Sequence, residues 1–308
     1  MSGGAGDVLR ARLGELVRSR RAGAPAAEGE TAAPVPGAAA KRRAKKAPAA
    51  AATAETAVAR EVARAGVEEF LPGGEWRDEK GGAVYVHERL RSQVERRRPH
   101  WGRLPEPPPG EPDLLAIAAG GLERVLFLDL ETCGLASNPI FLAGTMHWNG
   151  EDFVLRQYFA RHYGEEGALL RAVHEHAKQH DLLVTFNGKT FDAPMLRTRA
   201  LALGVSLQLP ALHFDLLHAS RRRWKHELPN CKLQTLERRI CGRPLRVGDV
   251  DGSEVPGLYH DWVKSGDPWP LAPVFHHNLI DVIVMSDVLH ALCAGASPRP
   301  RPRAATWD

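Results

Sequence analysis

Two acids set two residues apart in an otherwise apolar run, Val125-Leu-Phe-Leu-Asp129-Leu-Glu131-Thr-Cys-Gly134, constrain the fold of this chain more than any other feature. The run has the length of a central strand, on which alternate side chains point to opposite faces. Asp129 and Glu131 then share a face with Val125 and Phe127, while Leu126, Leu128 and Leu130 bury the other. Two acids buried side by side are costly unless a cation or strong donors compensate them. A divalent cation is the obvious compensator. The alternative is that both acids merely end a strand and cap the turn Thr132-Cys133-Gly134, so the reading depends on partners elsewhere in the chain.

The chain has 308 residues, 44% of them hydrophobic, enough for one large or two modest domains. Its apolar residues are unevenly spread. Residues 7–21 read as a basic amphipathic helix with Leu9, Leu13, Leu16 and Val17 on one face, and residues 22–60 are an Ala-, Pro- and Lys-rich stretch with almost no large apolar side chain. Such a stretch has too little to bury to offset the entropy of ordering, so 1–60 is expected to be a helix plus disordered linker. Residues 61–112 read as a small extension and linker: a helical pattern ending at Pro72, a hairpin around Gly81-Gly82, a charged helix and a proline-rich connection. A main domain is expected over 113–295 and a basic Pro/Arg tail over 296–308.

The net charge of +4, with basic clusters at Lys41–Lys46, Arg96–Arg98, Arg221–Lys225 and Pro298–Arg303, suits a polyanionic partner without establishing one. The four cysteines show no Cys-x-x-Cys spacing, which argues for a reduced, cytoplasmic setting. No apolar run reaches the roughly 18 residues of a membrane span, and the N-terminus lacks a signal-peptide core. The sequence names no protein partner.

From residue 122 onward the order of elements is informative. The strand at 122–131 is followed by apolar runs at 139–148 and 152–160, separated by the hairpin signal Asn149-Gly150. Then come a helix through His180, a strand at 182–186, a helix carrying Met195, Leu196 and Leu201, a strand near 211–214, and helical patterns near 215–224, 233–241 and 278–292. Three antiparallel strands followed by alternating helices and strands predict an α/β fold, a mixed sheet flanked by helices in the ribonuclease-H-like arrangement.

Two later segments supply candidate partners for the first strand. Phe186-Asn-Gly-Lys-Thr-Phe-Asp192-Ala-Pro leaves a buried strand and enters a helix near Asp192, with Pro194 tolerated in its first turn. In Phe275-His-His-Asn-Leu-Ile-Asp281, Asp281 heads a stripe continued by Val284, Met285, Val288 and Leu292. If the helix already runs there, at about 100° per residue, His277 lies over Asp281 and His276 points away, which makes His277 the better candidate base.

Asp129, Glu131, Asp192 and Asp281, with His276 and His277 before the last acid, resemble the motifs of the DEDD superfamily of 3′-to-5′ exonucleases. Within it the chain is most similar to the bacterial YprB-like ribonuclease-H-like branch. The resemblance spans roughly 113–292 and leaves the N-terminal arm unaccounted for. It implies two Mg²⁺ or Mn²⁺ ions held by the four acids, with Asp129 as bridge, and phosphodiester hydrolysis from 3′ or single-stranded ends of nucleic acid. It also places Thr132, Gly134 and Leu135 against the terminal nucleotide and has Asn187 steady the second-motif loop. The superfamily carries Tyr four residues or His five residues before the last acid; here both positions are His, so both stand as candidate bases. Arg221 and Arg222 are candidate phosphate contacts, and Trp224 is either a stacking platform or a core residue. Competing readings are a catalytically silent nucleic-acid-binding module and a ribonuclease-H-like endonuclease. An ATPase of this general fold needs Gly-rich phosphate loops after the first strand, where only Gly134 occurs.

Deleting residues 1–60 is expected to leave turnover at saturating substrate unchanged, because their composition cannot support a core. A collapse of turnover in a deletion protein whose thermal transition is unaltered would contradict this.

Overall fold

In the computed structural model the described residues are 66–98, 101–134, 138–246 and 248–299. The expected helix at 7–21, the linker, the first part of the pattern at 56–70 and the end of the basic tail lie outside them. The elements are α1 (Val67–Phe70), β1 (Gly74–Arg77), β2 (Ala83–Leu90), α2 (Arg91–Val94), α3 (Pro112–Gly120), β3 (Val125–Thr132), β4 (Ile140–Trp148), β5 (Phe153–Phe159), α4 (Glu166–Ala177), β6 (Leu182–Thr185), α5 (Asp192–Ala202), β7 (Leu212–Asp215), α6 (Leu216–Trp224), α7 (Leu233–Arg239), α8 (Val255–Ser265) and α9 (Ala272–Cys293).

One seven-stranded sheet in the order β1-β2-β5-β4-β3-β6-β7 organises them. The segment β3-β4-β5 is an antiparallel meander, while β6 and β7 add in parallel on the other side of β3. This is the mixed sheet flanked by helices that the order of elements predicts. The N-terminal hairpin joins the same sheet, because β2 pairs with β5 from Tyr85–Phe159 to Leu90–Val154. On that side the sheet ends at β1, a short strand bearing Glu75 and Arg77, which suits an edge that must not recruit further strands.

The alternation along β3 divides the core. Val125 and Phe127 join Met146, Trp148, Phe153 and much of α9 on one face, while Leu126 and Leu128 pack under α4 and α5 on the other. A third cluster, not expected from the sequence, sits beneath α8, where Tyr259 stacks on Phe141 at 4.1 Å between centroids and donates its hydroxyl to the Ala160 carbonyl at 2.8 Å. The sequence reading missed α8 because its short pattern is interrupted by Gly257 and Asp261.

Two features of the sheet prepare the site. The ladder between β3 and β6 ends at Phe127–Val184, so β3 outruns its parallel neighbour by several residues. On the antiparallel side, Asp129 pairs with Gly144. A Cβ at Gly144 would lie 2.1 Å from Asn278 Oδ1, so only glycine lets α9 approach the strand this closely.

The segment after β2 and the late helix α9 meet through buried charge. Arg91, 1% exposed, lies 2.6 Å from both Glu95 and Asp287 and donates to Ser286 Oγ at 2.8 Å, with Trp101 under its guanidinium at 4.2 Å. Arg243 completes a four-membered ring by pairing with Glu95 at 2.7 Å and Asp287 at 2.8 Å. Removing one member of such a ring leaves buried cations short of a partner. Asp287→Ala is therefore expected to destabilise the fold by on the order of 3 kcal/mol. A denaturant midpoint unchanged from wild type would show that the ring contributes no net stability.

Candidate functional site

The site is assembled where β3 extends past β6. Asp129 and Glu131 stand on the α9 face of the strand, as the alternation requires. Beyond the last β3–β6 pair the Leu130 amide has no ladder partner on that side and donates instead to the Asp192 carboxylate. That bond ties the second motif to the first. Asp192 is the first residue of α5, and its own amide also donates to its carboxylate.

The loop that delivers Asp192 is held by an acid that the sequence reading did not single out. Asp215, at the end of β7, accepts from the Asn187 amide at 2.9 Å, the Lys189 amide at 3.0 Å and the Leu217 amide at 3.0 Å. It therefore anchors the loop and caps α6 together. Asn187 adopts φ 66°, a left-handed conformation that asparagine tolerates well. Its carbonyl accepts from the Thr190 and Phe191 amides. Gly188 is constrained by contact, since a Cβ there would lie 2.8 Å from Asp192 Oδ2 and 2.4 Å from Thr185 Oγ1.

The third motif lies wholly inside α9, which begins at Ala272, so His276 and His277 are both helical. His277 Nε2 lies 3.4 Å from Asp281 Oδ2, one turn on. Its Nδ1 lies 2.7 Å from Asp249 Oδ1. A carboxylate at Nδ1 favours the tautomer whose Nε2 is unprotonated and free to accept a proton. Asn278 follows, fully buried, and donates to the Asp129 carboxylate at 2.9 Å and the Asp129 carbonyl at 3.2 Å. Gln157 donates in turn to Asn278 at 3.0 Å. Asp281 carries a close cation, Arg246, at 2.6 Å, and Arg246 also pairs with Glu237 at 2.7 Å. The Asp281–Arg246 contact is poorly directed for a hydrogen bond, and Asp281 Oδ1 is buried without a hydrogen-bonding partner.

Electrostatics follow from this crowding. Burial, then the charges of Asp281, Glu131 and Asp192, hold Asp129 well above the carboxylate range. Burial raises Glu131 to about 8 against the pull of His277, with Asp281 and Asp192 adding to the rise. Burial also raises Asp192 to about 7, opposed by its amide donors. His277 is raised as well: burial alone would lower it, but the Asp249 hydrogen bond and the charges of Asp281 and Glu131 outweigh burial and take it to about 9. His276, pulled below its ordinary value chiefly by burial, makes no such contact with Asp281.

The residues present fit hard divalent cations. The donors are carboxylate oxygens with one imidazole and no thiolate, a set suited to Mg²⁺ or Mn²⁺. The acids repel one another, and one Asp281 oxygen lacks a directed donor. No three of these groups bring ligand atoms within 4.8 Å of one another, so they line the strand end without closing on a single point.

The remaining expected site residues divide. Thr132 and Gly134 lie in the turn directly after Glu131, where the Thr132 hydroxyl donates to the Gly134 carbonyl at 2.7 Å. Leu135 lies outside the described residues. Arg221 and Arg222 are exposed, on a helix that starts at Asp215 and leads away from the second motif. The stacking role for Trp224 is corrected: its ring is 0% exposed, and its Nε1 donates to the Ala296 carbonyl at 2.9 Å, so it has no face to offer a base. Ala296 lies fifteen residues beyond Asp281, about 20 Å along a helix.

An α/β sheet whose central strand ends in paired acids, completed by acids from the helix after β6 and from a late helix crossing the strand, defines a ribonuclease-H-like protein. The RNase_H superfamily profile matches residues 126–293, more than half of the chain, and the chain belongs to that superfamily. Over 176 residues it is 37% identical to the uncharacterized protein YprB of Bacillus subtilis (strain 168), an alignment that takes in 54% of this chain and 42% of that one. The chain thus spans less than half the length of this relative. Among solved structures, a family B DNA polymerase from the archaeon Pyrobaculum calidifontis aligns with 68% of this chain and 28% of its own, at a TM-score of 0.44 and 18% identity.

The raised acids fix how the metal-free protein responds to pH. Glu131 and Asp192 ionise at higher pH folded than unfolded, so from about pH 4 to about 8 these two groups hold fewer protons in the unfolded chain. His277, raised to about 9, acts in the same direction above pH 6.5. The buried imidazoles of His87, His147, His176, His180, His213 and His276, held below their ordinary values, act in the opposite direction up to about pH 6.5. In chelator, stability should therefore fall as pH rises from about 7 to about 9. Asp129→Asn, which removes one crowded charge and keeps an acceptor for Asn278, should raise the melting temperature at pH 8 and flatten the slope. Calorimetry in chelator that shows wild-type stability increasing from pH 7 to 9 would contradict the crowding.

Proposed function

We propose that the protein is a metal-dependent nuclease, a 3′-to-5′ exonuclease that hydrolyses nucleic-acid phosphodiester bonds. One observation carries this reading: four acids from three separate segments surround the end of β3, and beside them His277 is oriented by Asp249 with its Nε2 on the side of Asp281. Superfamily membership supports nucleic acid as the substrate class. Asp129 would be shared between two ions, Glu131 and Asp281 would complete the first site, and Asp192 would help to hold the second. When bound, Mg²⁺ or Mn²⁺ would neutralise charge on the scissile phosphate and on the leaving oxygen.

The chain's own groups do the rest. His277 would accept the proton of the attacking water at Nε2, while Asp249 keeps the ring oriented through Nδ1. Asn278 would hold the Asp129 carboxylate in one rotamer, and the Leu130 amide would do the same for Asp192. Thr132 and Gly134, directly beyond Glu131, would receive the terminal nucleotide. Phosphate contacts by Arg221 and Arg222 would add affinity without sequence preference. The Arg246–Asp281 pair favours a second reading, a catalytically silent nucleic-acid-binding module, because a guanidinium stands against one of the four acids.

The test is purified protein with Mg²⁺ or Mn²⁺ on 3′- and 5′-end-labelled single-stranded and duplex DNA and RNA. Stepwise loss from 3′ ends is expected, abolished by Asp129→Ala and by Asp281→Ala with the fold retained. Internal cuts would replace the exonuclease with an endonuclease, and binding without cleavage would favour the silent module.

The base has its own signature. His277→Ala is expected to lower turnover by roughly 10²-fold, the scale of general-base loss, and His276→Ala to cost little. Because Asp249 raises the His277 pKa, Asp249→Asn should move the rising limb of the pH–rate profile toward acid. A limb that stays in place in both Asp249→Asn and His277→Ala would remove His277 from the mechanism.

A further inference from the structure

On the face of the sheet opposite the acids, three imidazoles converge. His147, on β4, is paired across the ladder with Leu126, whose side chain belongs to the cluster under α4 and α5. His176 lies in the last turn of α4 and is 2% exposed. His180 follows one turn later, in the bend that leaves the helix, and is 9% exposed. One ring nitrogen from each lies within 4.8 Å of the others. The ring centroids are 4.9 Å apart for His147–His176, 5.3 Å for His147–His180 and 5.2 Å for His176–His180, each pair edge to face.

The surrounding hydrogen bonds select the tautomers. His180 Nδ1 lies 3.1 Å from the His176 carbonyl, which can only accept, so Nδ1 carries the proton and Nε2 has the lone pair. The Thr145 hydroxyl donates to the Arg156 carbonyl at 3.3 Å and so presents its lone pairs to His176 Nδ1, also at 3.3 Å. The Tyr158 hydroxyl stands 3.0 Å from the same nitrogen. His176 Nδ1 is thus engaged by two hydroxyls, and its Nε2 faces His147 Nδ1 at 3.1 Å. In the protein as it stands a proton bridges these two nitrogens. Two imidazoles on one tetrahedral zinc, with bonds of about 2.0–2.1 Å, place their nitrogens about 3.3 Å apart, so a metal can take the place of that proton with little movement. Burial keeps all three rings below their ordinary pKa and therefore neutral, the form in which imidazole binds metal.

We propose that His147, His176 and His180 form a second metal site, selective for Zn²⁺ or a similar imidazole-preferring ion, which clamps the end of α4 to β4. The donor set separates it from the acids: three neutral nitrogens without carboxylate or thiolate discriminate against Mg²⁺ and Mn²⁺. Three protein ligands leave the fourth position to water. Thr145 and Tyr158 orient His176, and the helix carbonyl orients His180, as outer partners do in metal sites. The site is independent of the nuclease reading, because it shares no residue with the acids and lies across the sheet from them.

The test uses the full chain, stripped with chelator and dialysed against Zn²⁺ or Co²⁺, in wild type and in Asp129→Asn/Asp281→Asn, which disables the acidic site. One equivalent of Zn²⁺ is expected in both proteins, not displaced by millimolar Mg²⁺, with a higher melting temperature than the stripped form. His147→Ala and His180→Ala should each weaken binding by at least about 100-fold while the metal-free melting temperature changes little. If either variant fails to fold, the Co²⁺ spectrum of Asp129→Asn/Asp281→Asn decides. Intense visible absorption of a four- or five-coordinate ion supports the site, and the faint absorption of an octahedral oxygen site overturns it. Retention of less than about a tenth of an equivalent, equal binding by the folded His variants, or loss of binding in the Asp129/Asp281 variant would also overturn it.

Discussion

Carboxylates gathered out of water repel one another, and much of this protein's polar architecture answers that repulsion. Asp129 is held by Asn278 and Asp192 by the Leu130 amide, while Asp281 has Arg246 at 2.6 Å. From Arg246 the compensation continues outward through Glu237 to Arg243, then to Asp287 and Glu95, and ends at Arg91. The charges alternate in sign along that path, so each buried ion has a neighbour of opposite charge. Removing one member leaves its immediate neighbour short of a partner.

The packing is subordinate to the same requirement. Helix α9 is buried on nearly every side, and it must lie close enough to β3 for Asn278 to reach both the carboxylate and the carbonyl of Asp129. Gly144 makes the approach possible, and Gln157, on the next strand, turns the Asn278 amide in the required direction. Three adjacent strands thus contribute one residue each, Asp129, Gly144 and Gln157, to the seating of a single asparagine.

The strand periodicity of β3 made its two faces legible in the sequence, and the hairpin at Asn149-Gly150 made the meander legible. The geometry of α9 was readable from spacing, because a one-turn separation places His277 over Asp281 wherever the helix starts at or before His277. The stripe used to single out Asp281 was a weaker guide, since apolar residues surround the helix and no single face stands out. Asp249, Arg246 and Asp215 were not readable as site residues. They come from loops and a strand end without periodicity, and their importance arises from contacts across 26 to 35 positions in the chain. Trp224 was ambiguous for a different reason: a tryptophan after three arginines reads equally as surface platform or core, and only its partner Ala296, seventy-two residues away, decides.

The superfamily segment begins at residue 126, yet the outermost member of the charge path, Arg91, and the strand that covers β5 both lie before it. A fragment cut at that boundary would carry every acid of the site and still expose a seven-residue strand edge, with Asp287 deprived of one of its two arginines. Exposed edges of that kind pair with copies of themselves. The hairpin at 74–90 therefore acts as a built-in stopper against self-association, and it secures the late helix from the opposite end of the chain.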